Sequence, residues 1–331
     1  MATEADLHQE NSGADSGVAA GTARTHARHN PLDPVHLMGH VKDSDHFQLP
    51  RRFRASTEGK FFVPQVRRST EPIVVVKTGF APFDNLVQPL DFRVTKFMVL
   101  EVVGAILIAA VFIPLANRVK SGGPPKGRLW NLLEVMAVFV REQVARTAIG
   151  SKDSDRFAPF LMTMFFFILT CNLMGLVPWA GSPTAALGVT GALAFLCYIT
   201  MVAAGMKQLG GIHYWTAQVP HMDVPPPMGI FLKPMIFGLE VLGMLIKHLV
   251  LAIRLLANMV AGHMVLSVMV ALIGAAAYAG FNWYIVNFGV GPLCVVASVA
   301  LNLLELFVAF LQAYIFVFLS ALFFGMALHP H

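Results

Sequence analysis

Residues 229–279 read GIFLKPMIFGLEVLGMLIKHLVLAIRLLANMVAGHMVLSVMVALIGAAAYA. Between Pro234 and Gly280 there is no proline and hardly a turn-forming residue, so the stretch predicts one apolar helix. Its charges are few: Glu240, Lys247 and Arg254. The steps of seven, with Asn258 four residues past Arg254, set these groups within about 40° of Arg254 at about 100° per residue. One polar stripe runs down an otherwise apolar helix.

A charge inside a membrane helix costs about 2.5–3.5 kcal/mol on insertion scales, so it faces protein or water. Arginine keeps its proton where a buried lysine can shed one. Arg254 lies mid-stretch, with long and mostly apolar flanks on both sides, which argues against its reaching the interface by snorkelling. A structural ion pair is one explanation; a fixed positive charge used in function is the other.

Length adds a second constraint. About 45 helical residues span roughly 68 Å, against a hydrocarbon core of about 30 Å. Ordinary tilts of about 20–40° do not absorb that excess. The helix must either break or lie steeply inclined. Residues 293–328 pose the same problem, with one acidic residue and no proline. Two over-long helices joined by a short Gly/Asn turn predict a steeply inclined, near-horizontal hairpin.

Composition fixes the class. The chain of 331 residues is 56% hydrophobic and 13% charged, with a mean hydropathy of +0.64. From Phe157 onward only seven Asp, Glu, Lys or Arg residues occur. These values predict an all-α polytopic membrane protein, since the apolar runs are too long and continuous for barrel strands. The net charge of +5 is scattered beside the spans and does not suggest nucleic acid. Cys171, Cys197 and Cys294 stand singly in apolar runs, which fits buried small hydrophobes better than a disulfide framework or metal site.

Taken in order, residues 1–91 form a polar N-terminal extension and residues 92–331 a membrane domain. The extension holds six of the twelve histidines at spacings that fit no metal template, and Glu4, Asp6, Glu10 and Asp15 argue against a transit peptide. It reads as an arm docking on neighbouring subunits, much of it extended or disordered alone. Residues 94–117 predict a vertical span that Pro114 ends or kinks, and SGGPPKG at 121–127 breaks the chain. Residues 128–150 predict an amphipathic interfacial helix. Eight basic and four acidic residues between Arg118 and Arg156 put this connection on the cytoplasmic or matrix side. Spans at 157–177 and 187–206 form a two-helix hairpin, and 208–228 reads as a loop stiffened by Pro225–Pro227.

The last helix carries its own stripe of Asn302, Glu305 and Gln312, at offsets of three and seven. Set face to face, the two stripes would bring Arg254, Asn258, Glu305 and Gln312 together near mid-membrane. His263 is turned roughly half a circle from Arg254 and need not share its face. It is either a packed core histidine or, with a carboxylate in a wet crevice, part of a proton relay.

RLLANMVAGH (254–263) resembles the Arg-Leu-x-x-Asn-Met-x-Ala-Gly-His signature of subunit a of F-type ATP synthases. NLMGLVP (172–178), the offsets of Glu240 and Lys247 before the arginine, and ELFVAFLQAYIF (305–316) are similar to the same family's pattern. The resemblance covers residues 94–328. Many bacterial members exchange the acid and histidine that stand here as His263 and Glu305, so this arrangement resembles the mitochondrial type, and with it a multi-pass protein of the mitochondrial inner membrane.

The resemblance implies a stator subunit without a catalytic centre of its own or a cofactor. Its partners would be a rotating ring of c subunits, the peripheral stalk and other membrane-sector subunits, within the lipid bilayer. Protons would enter a half-channel through His263 and Glu305, with Asn258 and Gln312 extending the path, and leave by a second half-channel at Glu240. Arg254 would separate the two and meet the ring carboxylate. No GxxxxGK[ST] loop is present, so nucleotide chemistry would belong to partners.

Two rivals come from other classes. A secondary transporter would use Arg254 to hold an anion or couple protons, but internal repeats and interrupted helices are not evident. An intramembrane hydrolase would need a nucleophile–base pair or HExxH, which is absent. A metal at His263 and Glu305 would have two ligands, too few for a convincing site.

Overall fold

The computed structural model describes residues 46–48, 60–62, 95–120, 127–177, 181–217, 226–279 and 282–328. The breaker at 121–126 and nearly all of the N-terminal extension lie outside them. Within that extension, β1 (His46–Gln48) and β2 (Lys60–Phe62) pair antiparallel, with Phe47 opposite Phe61. The ribbon lies in the extension, and the expected all-α architecture holds for the membrane domain. The remaining regular structure among the described residues is helical.

Helix α1 (Lys96–Lys120) runs through Pro114 instead of ending there. Its Met98, Val102, Val103, Ile106 and Leu107 are exposed, as a lipid-facing surface requires, while Gly104 turns toward Thr170, Cys171 and Met174. The interfacial segment divides into α2 (Arg128–Phe139), a π-helical stretch Val140–Ala145, and α3 (Arg146–Ile149). Arg141 donates to Asp155 at 2.8 Å, which ties this segment to the start of the next helix and holds the guanidinium above its ordinary value. Gly150, at φ 97°, ends α3 in a conformation that favours glycine.

Helices α4 (Ser154–Gly175) and α5 (Leu187–Leu209) follow, joined through a 3-10 turn at Pro183–Ala185. Gly210, at φ 88°, closes α5. The segment expected to be a loop contains a further short helix, α6 (Gly211–Ala217). Its Tyr214 is fully buried, packed where α5 has Gly205: a β-carbon there would lie 2.3 Å from the ring.

Helix α7 spans Pro226–Tyr278 without interruption, 53 residues passing through Pro234. Pro226 and Pro227 therefore open the helix, where a missing N–H is harmless, and do not act as a spacer. A single turn at Trp283–Ile285 and a π-helical Val286–Val290 lead into α8 (Gly291–Leu328). Neither long helix breaks. Five helices among the described residues are long and apolar enough to cross a membrane, the last two over 46 and 43 residues.

The core lies around the C-terminal half of α8, which packs on α3, α4, α5 and α7. Its Ala309, Ala313, Phe316, Val317, Ala321 and Phe324 are buried, against Leu161 and Ile168 of α4 and Leu251 and Leu255 of α7. Small residues let backbones approach closely where apolar burial gives no drive between helices. Gly325 is the tightest instance: a β-carbon there would stand 2.2 Å from the Ala148 carbonyl oxygen, so backbone would have to move. Gly325→Val is therefore expected to lower stability by about 1–3 kcal/mol, read as a lower unfolding midpoint in detergent. Gly188→Val, whose β-carbon meets nothing within 4 Å, should leave that midpoint unchanged.

Candidate functional site

The polar residues of α7 and α8 differ in exposure. Arg254 is exposed, on the same outward side as Leu249, Val250 and Ile253, while Leu251, Ala252 and Leu255 face the core. No ion pair or hydrogen bond engages Arg254 among the described residues. Asn258 is half-buried, Glu305 and Gln312 are buried, and Asn302 is exposed and donates to Ser298 of its own helix. Of the four residues expected to come together, Arg254 is thus exposed while Glu305 and Gln312 are buried. Within this chain the arginine looks outward and the carboxylate inward.

Glu305 meets α7 at Gly262, eight residues and just over two turns past that arginine. A β-carbon on Gly262 would lie 2.6 Å from Glu305 Oε1, so glycine is what lets the carboxylate nest against the helix. His263, the next residue, turns toward the end of α4: a β-carbon on Gly175 would lie 3.2 Å from His263 Nε2 and 3.0 Å from Ser182 Oγ. His263 Nε2, Glu305 Oε2 and Gln312 Nε2 are buried with no hydrogen-bond partner among the described residues. Such groups are costly to leave dry. They outline a polar seam between α4, α7 and α8.

That seam continues into residues the periodicity did not single out. Thr184 Oγ1 donates to Asn172 Oδ1 at 2.8 Å, Ser182 and Thr184 hydroxyls lie 2.7 Å apart, and Asn172 Nδ2 donates to the Ala309 carbonyl at 3.2 Å. Lys96 is buried beside Gly181, whose φ of 78° permits the turn. Asn172 stood in the NLMGLVP motif without a role; the Ser-Pro-Thr that follows it was the available signal.

A second polar site lies on the other side of Arg254. Glu240, Lys247, His248 and Tyr214 line a crevice with Met201, Met244 and Phe323. Glu240 is half-buried and Lys247 exposed. Tyr214 donates to Met244 Sδ at 3.9 Å, and burial, with a smaller effect from Tyr198, pushes its phenol above the ordinary value, so it stays a neutral donor. Measured along the helix, Arg254 stands about 21 Å from Glu240 and about 14 Å from His263 at 1.5 Å per residue. Along α7, the outward Arg254 thus stands between two polar regions.

A family model described as ATP synthase A chain matches residues 97–325. The ATP synthase subunit a of Myxococcus xanthus is 38% identical over 247 residues, covering 73% of this chain and 76% of that protein. One from Anaeromyxobacter sp. (strain Fw109-5) is 34% identical over 319 residues, 94% of this chain and 74% of the relative. For the Anaeromyxobacter dehalogenans (strain 2CP-C) protein the match is 38% over 245 residues, and this chain spans 60% of that relative's length.

Asn172→Ala would remove two interior hydrogen bonds, to the Ala309 carbonyl and from the Thr184 hydroxyl. The expected loss is about 1–3 kcal/mol, seen as a lower unfolding midpoint of the purified protein. Thr200→Ala, which removes an exposed bond to the helix's own Leu196 carbonyl, should not shift it measurably.

Proposed function

The chain belongs to the ATP synthase A chain family, and we propose that it is the stator subunit of that enzyme's membrane sector, passing protons through two offset half-channels to a rotating ring of c subunits. It is a multi-pass membrane protein and would carry no catalytic centre of its own. The observation that carries this reading is the exposed Arg254, unpaired among the described residues, midway along an unbroken apolar helix with a polar region to either side.

The mechanism follows from charge. A guanidinium facing lipid alone would be costly, so the face that bears it calls for a partner able to supply a carboxylate. A ring carboxylate meeting Arg254 would be held ionised. Displaced toward the Glu305 side it would take up a proton, and once neutral it could turn into lipid without the cost of a buried charge. Reaching the Glu240 side after nearly a full turn, it would release that proton. Arginine suits the partition because it does not itself pass protons on, whereas a lysine there could. Each charge crossing contributes about 2.3 kcal/mol per 100 mV of membrane potential.

Connectivity supports the allocation of sides. If the basic segment around α2 and α3 lies inside, α4 ends outside, next to the His263 and Glu305 seam. Glu240, early in α7, then belongs to the inner side. His263, Glu305, Asn258 and Gln312 would form the entry path and Glu240 the exit. The lengths of α7 and α8 support a steeply inclined hairpin, since about 30 Å of hydrocarbon cannot contain either helix upright. We divide the chain into an extension at 1–91, which would contact the peripheral stalk or other subunits, and a membrane domain at 92–331. The relatives named above are bacterial, so support for a mitochondrial inner membrane rests on the His263 and Glu305 arrangement alone; the setting we favour is a bacterial energy-coupling membrane.

The test is proton flux in membranes carrying the assembled complex. Arg254→Ala should reduce ATP-driven pumping at least about 100-fold, the scale of a lost essential group, and raise passive leak. Pumping at the wild-type rate would overturn the stator reading and favour a transporter. Glu305→Gln should slow pumping with Arg254 intact and leave assembly unchanged, measured as acidification rate per assembled complex.

A further inference from the structure

The inner crevice holds a group that the polar stripe does not account for. His248 stands six residues before Arg254, about 120° away around α7, and is only 3% exposed. Its Nδ1 lies 2.9 Å from the Met244 carbonyl oxygen one turn back. A carbonyl only accepts, so Nδ1 carries the proton and donates, which leaves Nε2 as the basic nitrogen of the neutral ring. That Nε2 is buried and has no hydrogen-bond partner among the described residues.

The ring is also held in one orientation. Tyr198 of α5 packs against it at 5.3 Å and 74°, and Phe323 of α8 at 5.0 Å and 49°. A purely apolar side chain would fill this space without leaving a nitrogen unsatisfied, so packing alone gives no reason for histidine. The titratable groups around it are Glu240 and Lys247 on its own helix, Tyr214 on α6 and Tyr198 on α5; from α8 the crevice receives Phe323, Met326 and Ala327, which do not titrate.

We infer that His248 is a proton-carrying station of the inner crevice, placed between the Arg254 face and Glu240. The inference rests on the proton-translocating reading above and adds a residue to it. A proton arriving from the Arg254 side binds the lone pair of Nε2 and gives an imidazolium, while the Nδ1–H bond to Met244 stays in place. The same proton then leaves Nε2, restoring the neutral ring. Only one N–H bond is made and broken. Glu240 lies about 12 Å away along the helix axis, so the hand-over to it runs through water in the crevice and not by direct contact.

The experiment compares His248→Asn and His248→Gln in the whole complex in membrane vesicles. Asparagine keeps a donor near the Nδ1 position, and neither side chain titrates. The expected result is assembled complex whose proton flux falls at least about tenfold and whose remaining flux loses its wild-type dependence on pH between about 5 and 8, the range of an imidazole. Wild-type flux with a wild-type pH profile overturns the inference. So does a fall in flux with the profile unchanged, or failure of both variants to assemble, since either makes His248 a structural staple. Arg254→Ala, measured in parallel, separates the two levels. If it abolishes coupling while the His248 variants pump normally, only the role of His248 falls; if it pumps normally too, the family-level reading fails.

Discussion

A permanent positive charge without a partner among the described residues is the constraint on which the rest depends. Arg254 sits on the exposed side of α7, among Leu249, Val250 and Ile253 that would otherwise face lipid. In hydrocarbon such a charge is tolerated only against water or an opposite charge. The fold does nothing to hide it. It spends its interior instead on Glu305, Gln312 and the Asn172–Ser182–Thr184 cluster, groups that can be neutral. The chain is therefore incomplete as a solvation problem: what it buries is uncharged or able to become so, and what must remain charged is left for another surface.

The separation of the two polar regions follows from the same choice. Glu305 reaches α7 through the space left by Gly262, while His263 turns toward the end of α4. Glu240 and His248 belong to a crevice built with α5, α6 and α8. Apolar side chains fill the stretch between, including the buried Leu251, Leu255 and Met259. A continuous wet path along α7 is thus interrupted by packing as well as by charge.

Much of this was legible in the sequence because membrane burial writes long, simple patterns. The two over-long apolar runs became α7 and α8 without a break, and the spans at 157–177 and 187–206 match α4 and α5 to within a few residues. Periodicity also found Glu240, Glu305 and Gln312. It failed where the informative contact crosses between helices. The angle from Arg254 could not show that Glu305 turns inward, because that depends on Gly262, a residue with no side chain to count. His248 lies off the stripe by about a third of a turn, so the stripe gives no signal for it. Tyr214 was hidden in a segment too short to declare itself a helix, and its burial depends on Gly205.

The unbroken course of α7 has a mechanical consequence. A helix of 53 residues with no hinge, braced along its inner side by α5 and α8, is a beam supported along its length. A sideways force applied at Arg254, near its middle, is carried into both flanks and not absorbed by local bending. Because α7 also packs against α8, with the Glu305 carboxylate seated at Gly262, that load is shared by two members. Stiffness, and not only charge, would then let a fixed cation bear against a moving partner under the function proposed above.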